Sequence, residues 1–188
     1  RIGRMFLDPG VGFGGSCFPK DVRALIAIAK KYQYDFDLLI AVEKINKEAK
    51  VDFVKKAKKL LGNKVSGKTV GILGLSFKPN TDDMREAPSI DIINALQKKG
   101  ARIRVYDPIA MKNAKTILKN VTYCKSPYEV AKNADILLVI TEWNEFKELD
   151  LLMIKNLMKT SIILDGRNIY DPQKVRGAGF IYQGVGRG

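Results

Sequence analysis

Thr69-Val70-Gly71-Ile72-Leu73-Gly74-Leu75 decides the architecture of this chain. It reads as a short apolar strand. The turn signals Gly62-Asn63 and Ser66-Gly67 before it mark a boundary. Downstream, strands and helices alternate. A helix is predicted over 88–99, stopped by Gly100 just past its C-terminus. Next come a strand over 103–107, a helix over 111–118, a short strand over 121–124, a helix over 127–132 and a strand over 135–141. A helix over 151–158 and a final strand over 161–165 complete the pattern. Helices of this length between strands make βαβ units. The expected fold is therefore α/β, a parallel sheet with helices on both faces.

Upstream of the boundary the pattern is helical. A helix is expected from about Asp21 to Tyr32. Asp37 is a candidate N-cap for a longer helix over roughly 38–61, whose Leu38, Val42, Ile45, Ala49, Phe53, Ala57 and Leu60 recur at helical spacing. Such a helix suits a domain connector or a dimer seam, and equally an ordinary helix packed on the second domain. Residues 1–20 are loop-like and glycine-rich, with Asp8-Pro9-Gly10 as a turn signal.

Composition bounds the function. The chain has 188 residues and a formal net charge of +13. The lysines are dispersed, and Glu43/Lys47 and Asp52/Lys56 form i,i+4 pairs expected of a solvated helix face. No basic stretch is interleaved with aromatics for base stacking, so nucleic acid is not an expected partner. The longest strongly apolar run, 136–140, is too short to cross a membrane. The two cysteines, Cys17 and Cys124, make no disulfide framework, so the expected compartment is the cytoplasm. The chain has no histidine, which excludes Cys-His and Ser-His-Asp catalysis and histidine metal sites. No metal is expected.

The most chemically pointed stretch is Phe13-Gly14-Gly15-Ser16-Cys17-Phe18-Pro19-Lys20-Asp21. Two glycines bring the backbone close to whatever lies beside the thiol, and Pro19 suits the first turn of a helix. A cysteine before a helix N-terminus feels the positive end of the dipole, and Lys20 adds charge. Both favour thiolate. Asp21, about one turn on, is placed to hold a proton or a water. The competing reading is a cysteine that simply packs, with Asp21 as a first-turn acid.

Ligands of doubly wound sheets bind beyond the carboxyl ends of the strands. The segment after the first strand, 76–87, is too long for a simple turn and is not a G-x-G-x-x-G fingerprint. Lys78 and Arg85 are candidates to reach phosphate, with Phe77 to stack on a base. Arg167, after Asp165-Gly166, adds a third cation to that rim. A solvated basic rim is the alternative. Asp107 is read either as a ribose-binding acid or as the cap of a turn.

Taken together, Arg1 to Asp21, Gly74 to Ser89, Thr141-Glu142-Trp143 and the segment 165–188 resemble the UDP-glucose/GDP-mannose dehydrogenase family over the whole chain, with Phe13 to Asp21 and Gly74-Leu75-Ser76-Phe77-Lys78 with Arg85-Glu86 as the specific motifs. The resemblance implies a Rossmann-like sheet at 65–188 that binds the UDP-sugar. It also implies a central helical dimerisation region at 1–64 carrying the cysteine loop, and homodimers formed through the long helix, with Asn46 at a family-like position. The family's N-terminal NAD-binding domain is expected to be missing from a chain that opens on Arg1, and the 188 residues alone are expected to be inactive. The implied chemistry is NAD-dependent, twofold oxidation of UDP-glucose to UDP-glucuronate. Cys17 would capture the intermediate aldehyde and Asp21 would hold the hydrolytic water. Arg1, Phe6, Phe13, Gly14, Phe77, Lys78 and Arg167 would contact substrate, Arg1 in the neighbouring subunit. Lys20 and Arg85 would contact the cofactor. Arg1 at its spacing from Cys17, Gly14-Gly15 and Gly184-Val185-Gly186-Arg187 favour UDP-glucose over UDP-N-acetylhexosamine or GDP-mannose. A module that only binds nucleotide or dimerises is the reading from another class.

Overall fold

The computed structural model describes Gly3 and residues 7–187. Two helices come first, α1 (Phe18–Lys31) and α2 (Asp37–Leu60). Six strands follow: β1 (Thr69–Leu73), β2 (Arg102–Tyr106), β3 (Val121–Tyr123), β4 (Ile136–Val139), β5 (Ile162–Asp165) and β6 (Ile181–Gly184). Between them run α3 (Pro88–Lys98), α4 (Met111–Ile117), α5 (Pro127–Ala131), α6 (Asn144–Lys147), α7 (Leu151–Leu157) and α8 (Pro172–Gly177). All strand pairs are parallel, in the order β3-β2-β1-β4-β5-β6. This is the doubly wound Rossmann-like order, with its switch point between β1 and β4.

Alternation along the strands builds two cores, because successive side chains leave a strand on opposite faces. Ile136 and Leu138 of β4 point into one layer with Val70, Ile72, Ile92, Ile93 and Leu96. Leu137 and Val139 point into the other with Leu73, Ile163, Val130, Phe146 and Ile154. The first layer also takes Phe53, Val54 and Ala57 from the C-terminal half of α2. Burying a Phe or Val contributes about 1.5–3 kcal/mol each, enough to seat that half of the helix on the sheet. The N-terminal half leaves Leu38, Ile40 and Ile45 exposed, and Val51 is exposed on the far side of the C-terminal half.

Several sequence expectations are corrected. The sheet does not end at residue 165: β6 pairs with β5 from Ile162↔Ile181 to Asp165↔Gly184. This edge strand is short, contains a glycine and is buried only at Tyr182 and Gly184, so it carries little apolar signal. The short helices α6 and α8 are likewise unmarked by periodicity. α1 starts at Phe18 rather than near Asp21, with Cys17 itself at the cap position. Asp37 does not cap α2. Phe36 holds that position and Asp37 lies in the first turn, where a carboxylate complements the helix dipole. Asp52 pairs with Lys55 at 2.9 Å rather than with Lys56, whose Nζ donates to the Gly184 carbonyl at 3.3 Å. No helix among the described residues is long and apolar enough to cross a membrane.

Candidate active site

The carboxyl edge of the sheet is organised by a buried acid. Asp107, just past β2, has no exposed surface. Its Oδ2 accepts from the backbone N–H of Leu75 (2.7 Å) and Ser76 (3.1 Å), the Ser76 hydroxyl (3.2 Å) and Trp143 Nε1 (3.2 Å). Its Oδ1 accepts from the N–H groups of Ile109 (3.0 Å) and Ala110 (2.8 Å). Both oxygens are thus used by the protein. Asp107 does cap a turn, and it also ties the loops after β1, β2 and β4 to one point.

The loop after β1 is then free to serve as a wall for the cysteine loop. The N–H of Gly15 donates to the Arg85 carbonyl at 2.8 Å. Gly15 lies in the left-handed region (φ 86°), and a Cβ there would stand 2.8 Å from the Phe77 ring. A Cβ on Gly14 would collide with the Glu86 carbonyl. Glycine is required at both positions by close approach, and at Gly15 also by backbone conformation. From the other side, Asn46 of α2 grips the loop twice. Its Oδ1 accepts from the Phe13 N–H at 2.7 Å and its Nδ2 donates to the Phe13 carbonyl at 3.1 Å.

Cys17 emerges from this sandwich exposed, its Sγ 3.7 Å from the Ser16 hydroxyl. Asp21 stands one turn on, its N–H bonded to the Cys17 carbonyl at 2.8 Å, and its carboxylate pairs with Lys20. The Lys20 ammonium is held above its ordinary range chiefly by Asp21, with Cys17 also contributing. The Arg85 guanidinium is held up chiefly by Asp83, which it meets at 2.7 Å, and again Cys17 contributes.

The substrate candidates fall into two places. Phe77 lies against Gly15, with Lys78 Nζ 5.4 Å from its ring centre. Arg167 lies over Gly10, and its Nη2 donates to Glu142 Oε1 at 2.7 Å. The backbone that presents Arg167 is wrapped around Asp165. That carboxylate accepts from the N–H of Arg167 (2.9 Å) and of Tyr170 (3.1 Å) and from the Tyr182 hydroxyl (3.0 Å). Burial pushes the Asp165 carboxyl up, and these bonds oppose the shift. Arg1 and Phe6 lie outside the described residues. Among the described residues no group of His, Cys, Asp or Glu is placed to hold a metal ion.

Sequence reading missed the roles of Asn46, Glu142, and the Arg23–Glu86 pair. Three left a trace: Asn46 stands at a family-like position on the long helix, Glu86 in Arg85-Glu86 and Glu142 in Thr141-Glu142-Trp143.

Comparison with known proteins fits this geometry. The pattern of the UDP-glucose/GDP-mannose dehydrogenase family, UDP binding domain, matches residues 71–172, and the central domain of the same family matches residues 1–48. The chain belongs to this family. Over 188 residues it is 48% identical to the UDP-glucose 6-dehydrogenase YwqF and 46% identical to the UDP-glucose 6-dehydrogenase TuaD, both from Bacillus subtilis (strain 168). Those alignments cover 100% of this chain but 42% and 41% of the two relatives, so the chain spans about two fifths of their length. A solved UDP-glucose dehydrogenase from the hyperthermophilic archaeon Pyrobaculum islandicum superposes with a TM-score of 0.87 at 35% identity, over 100% of this chain and 41% of that one. In family terms, α1 and the first half of α2 fall in the central domain, and the sheet from within β1 through β5 falls in the UDP-binding domain.

Proposed function

We propose that this chain supplies the catalytic thiol and the nucleotide-sugar site of an NAD-dependent dehydrogenase that oxidises UDP-glucose twice, to UDP-glucuronate. In this reading residues 1–64 form the dimerising central region and residues 65–188 the UDP-sugar-binding domain. The observation that carries it is the exposed Cys17 at the head of α1, on a loop pressed by Gly14 and Gly15 against the loop after β1. Sequence identity to enzymes named for UDP-glucose favours that sugar.

The donor set suits an anionic dinucleotide: Lys20 and Arg85 are exposed cations beside the cysteine loop. Bound NAD would accept a hydride in each oxidation. Lys20 and Arg85 hold its charged portion. Phe77 and Lys78 hold the nucleotide and sugar, Phe13 and Gly14 line the sugar pocket, and Arg1, Phe6 and Arg167 contact the substrate. The first oxidation turns the sugar's primary alcohol into an aldehyde. Cys17 Sγ then adds to the carbonyl carbon, and the carbonyl's π pair takes a proton to become a hydroxyl. From this thiohemiacetal the remaining C–H hydrogen leaves as hydride while the hydroxyl gives up its proton to solvent, and the carbonyl re-forms as a thioester. Water held by Asp21 adds to the thioester carbon, and the C–S bond breaks to return the thiolate and release the carboxylate.

The test joins this chain to an NAD-binding domain in the full-length enzyme and follows NADH with UDP-glucose, UDP-N-acetylglucosamine and GDP-mannose. UDP-glucose is expected to give the highest kcat/KM, and the 188 residues alone no turnover. A preference for either other sugar overturns the substrate assignment. Turnover by the 188 residues overturns the expected inactivity.

The homodimer belongs to the same proposal. Leu38 and Ile45, seven residues apart, stand exposed on one face of α2, and a second copy would cover that apolar stripe. Ile45→Glu is expected to shift the mass in light scattering from dimer to monomer. An unchanged dimer would place the interface elsewhere. With both cysteines free, a reducing compartment such as the cytoplasm is the proposed location.

A further inference from the structure

α1 carries Cys17 at its head, yet among the described residues its one buried side chain is Pro19. Val22, Ile26 and Ala29 are only half-buried, so apolar burial within the protomer holds this helix weakly, and a polar clamp adds to it. Arg23, less than two turns after Cys17, donates from Nη1 to Glu86 Oε1 at 2.8 Å and from Nη2 to Glu86 Oε2 at 2.6 Å. Its third arm, Nε, donates to Glu43 Oε1 on α2 at 2.7 Å. Such a two-pronged pair fixes direction as well as distance, because both planes are rigid.

Glu86 is not an arbitrary anchor. Its backbone is held in the left-handed region (φ 51°), an uncommon conformation for a residue with a side chain. Its carbonyl is the surface that Gly14 touches, and the carbonyl before it, of Arg85, accepts from Gly15. One guanidinium thus grips, by its side chain, the residue whose main chain forms the wall of the cysteine loop. Arg23 also holds Glu86 and Glu43 below the usual carboxylate range, which keeps the clamp charged.

We propose that Arg23 is a positioning residue: through Glu86 and Glu43 it sets where the Cys17 thiol stands relative to the aldehyde carbon. The inference rests on Cys17 being the nucleophile. It makes a prediction that a generally stabilising ion pair does not. The first oxidation uses no thiol and draws on α1 only through the long, exposed side chain of Lys20 at the cofactor. The aldehyde-capturing step depends on a displacement of about 1 Å, which is enough to cost roughly 100-fold in rate.

The experiment uses the full-length enzyme in single turnover with UDP-glucose and semicarbazide as an aldehyde trap. Wild type is expected to release two NADH per sugar with no trapped aldehyde. Arg23→Ala is expected to keep the first NADH phase, slow the second by about 100-fold and yield the semicarbazone. Arg23→Lys, which keeps the charge but not the fork, falls between. Glu86→Ala reproduces the defect, and the double variant is no worse than either single one, as expected of residues acting through one contact. Amide exchange along α1 is expected to speed by about tenfold in Arg23→Ala. Equal slowing of both phases, or an unchanged second phase with no trapped aldehyde, overturns the proposal. Loss of the first phase together with unaltered exchange along α1 overturns it as well. A Cys17→Ser control that keeps its second phase overturns the nucleophile assignment itself, a result separable from any effect of Arg23.

Discussion

Cys17→Ser in the full-length enzyme is expected to stop UDP-glucuronate formation, with a loss of about 1,000-fold or more, while the first NADH of each turnover still appears. The reason is that, among the described residues, none is placed to activate a hydroxyl. The chain contains no histidine, and the Asp21 carboxylate is engaged by Lys20. A serine hydroxyl left near its ordinary acidity is a weak nucleophile, whereas a thiol needs far less help. The aldehyde should therefore form, wait and escape. Mass spectrometry of the sugar products beside an NADH trace gives the answer. A normal yield of uronate would remove Cys17 from the reaction. Peptide mapping after brief iodoacetamide treatment offers a second check. Cys17 is exposed, while Cys124 is buried and its thiol is pushed up by that burial, so label should collect on Cys17 first.

Asp107→Ala is expected to cost about 3–5 kcal/mol of stability, read from urea unfolding by far-UV circular dichroism. Truncation leaves four main-chain N–H groups, the Ser76 hydroxyl and the Trp143 indole without the acceptor they now share. All face a carboxylate with no solvent exposure. Desolvated donors left unpaired cost more than a made bond contributes. Asp107→Asn keeps one carbonyl oxygen and should lose roughly half as much. A midpoint shift equivalent to less than about 1 kcal/mol for Asp107→Ala would mean that water or a shifted loop replaces the carboxylate.

The parallel sheet was legible because fully buried strands such as 136–139 and 162–165 are continuous apolar runs between helical segments. β6 was not, because an edge strand with a solvent-facing Ile181 and a terminal glycine has no such run. The site shows the same divide. Cys17, Phe77 and Arg167 stand in motifs whose residue types announce chemistry. Asn46 and Arg23 act through long-range pairs, 33 residues to Phe13 and 63 to Glu86, and no local pattern announces a partner that far along the chain. For Asp107 the sequence allows both a ligand and a cap. Only the direction of six donors onto its two oxygens decides that it serves the fold.

Asn46 and Phe53 lie seven residues apart on α2, within about 20° of two complete helical turns. One is bonded to the cysteine loop and the other is sunk in the sheet's core. The helix therefore works as a keyed shaft, with its phase locked at both ends. A substitution between the two keys leaves the phase alone. A single inserted or deleted residue rotates one key by about 100° against the other, so either Phe53 leaves the core or Asn46 lets go of Phe13. Spacing along this stretch, more than residue identity, is what the architecture holds constant.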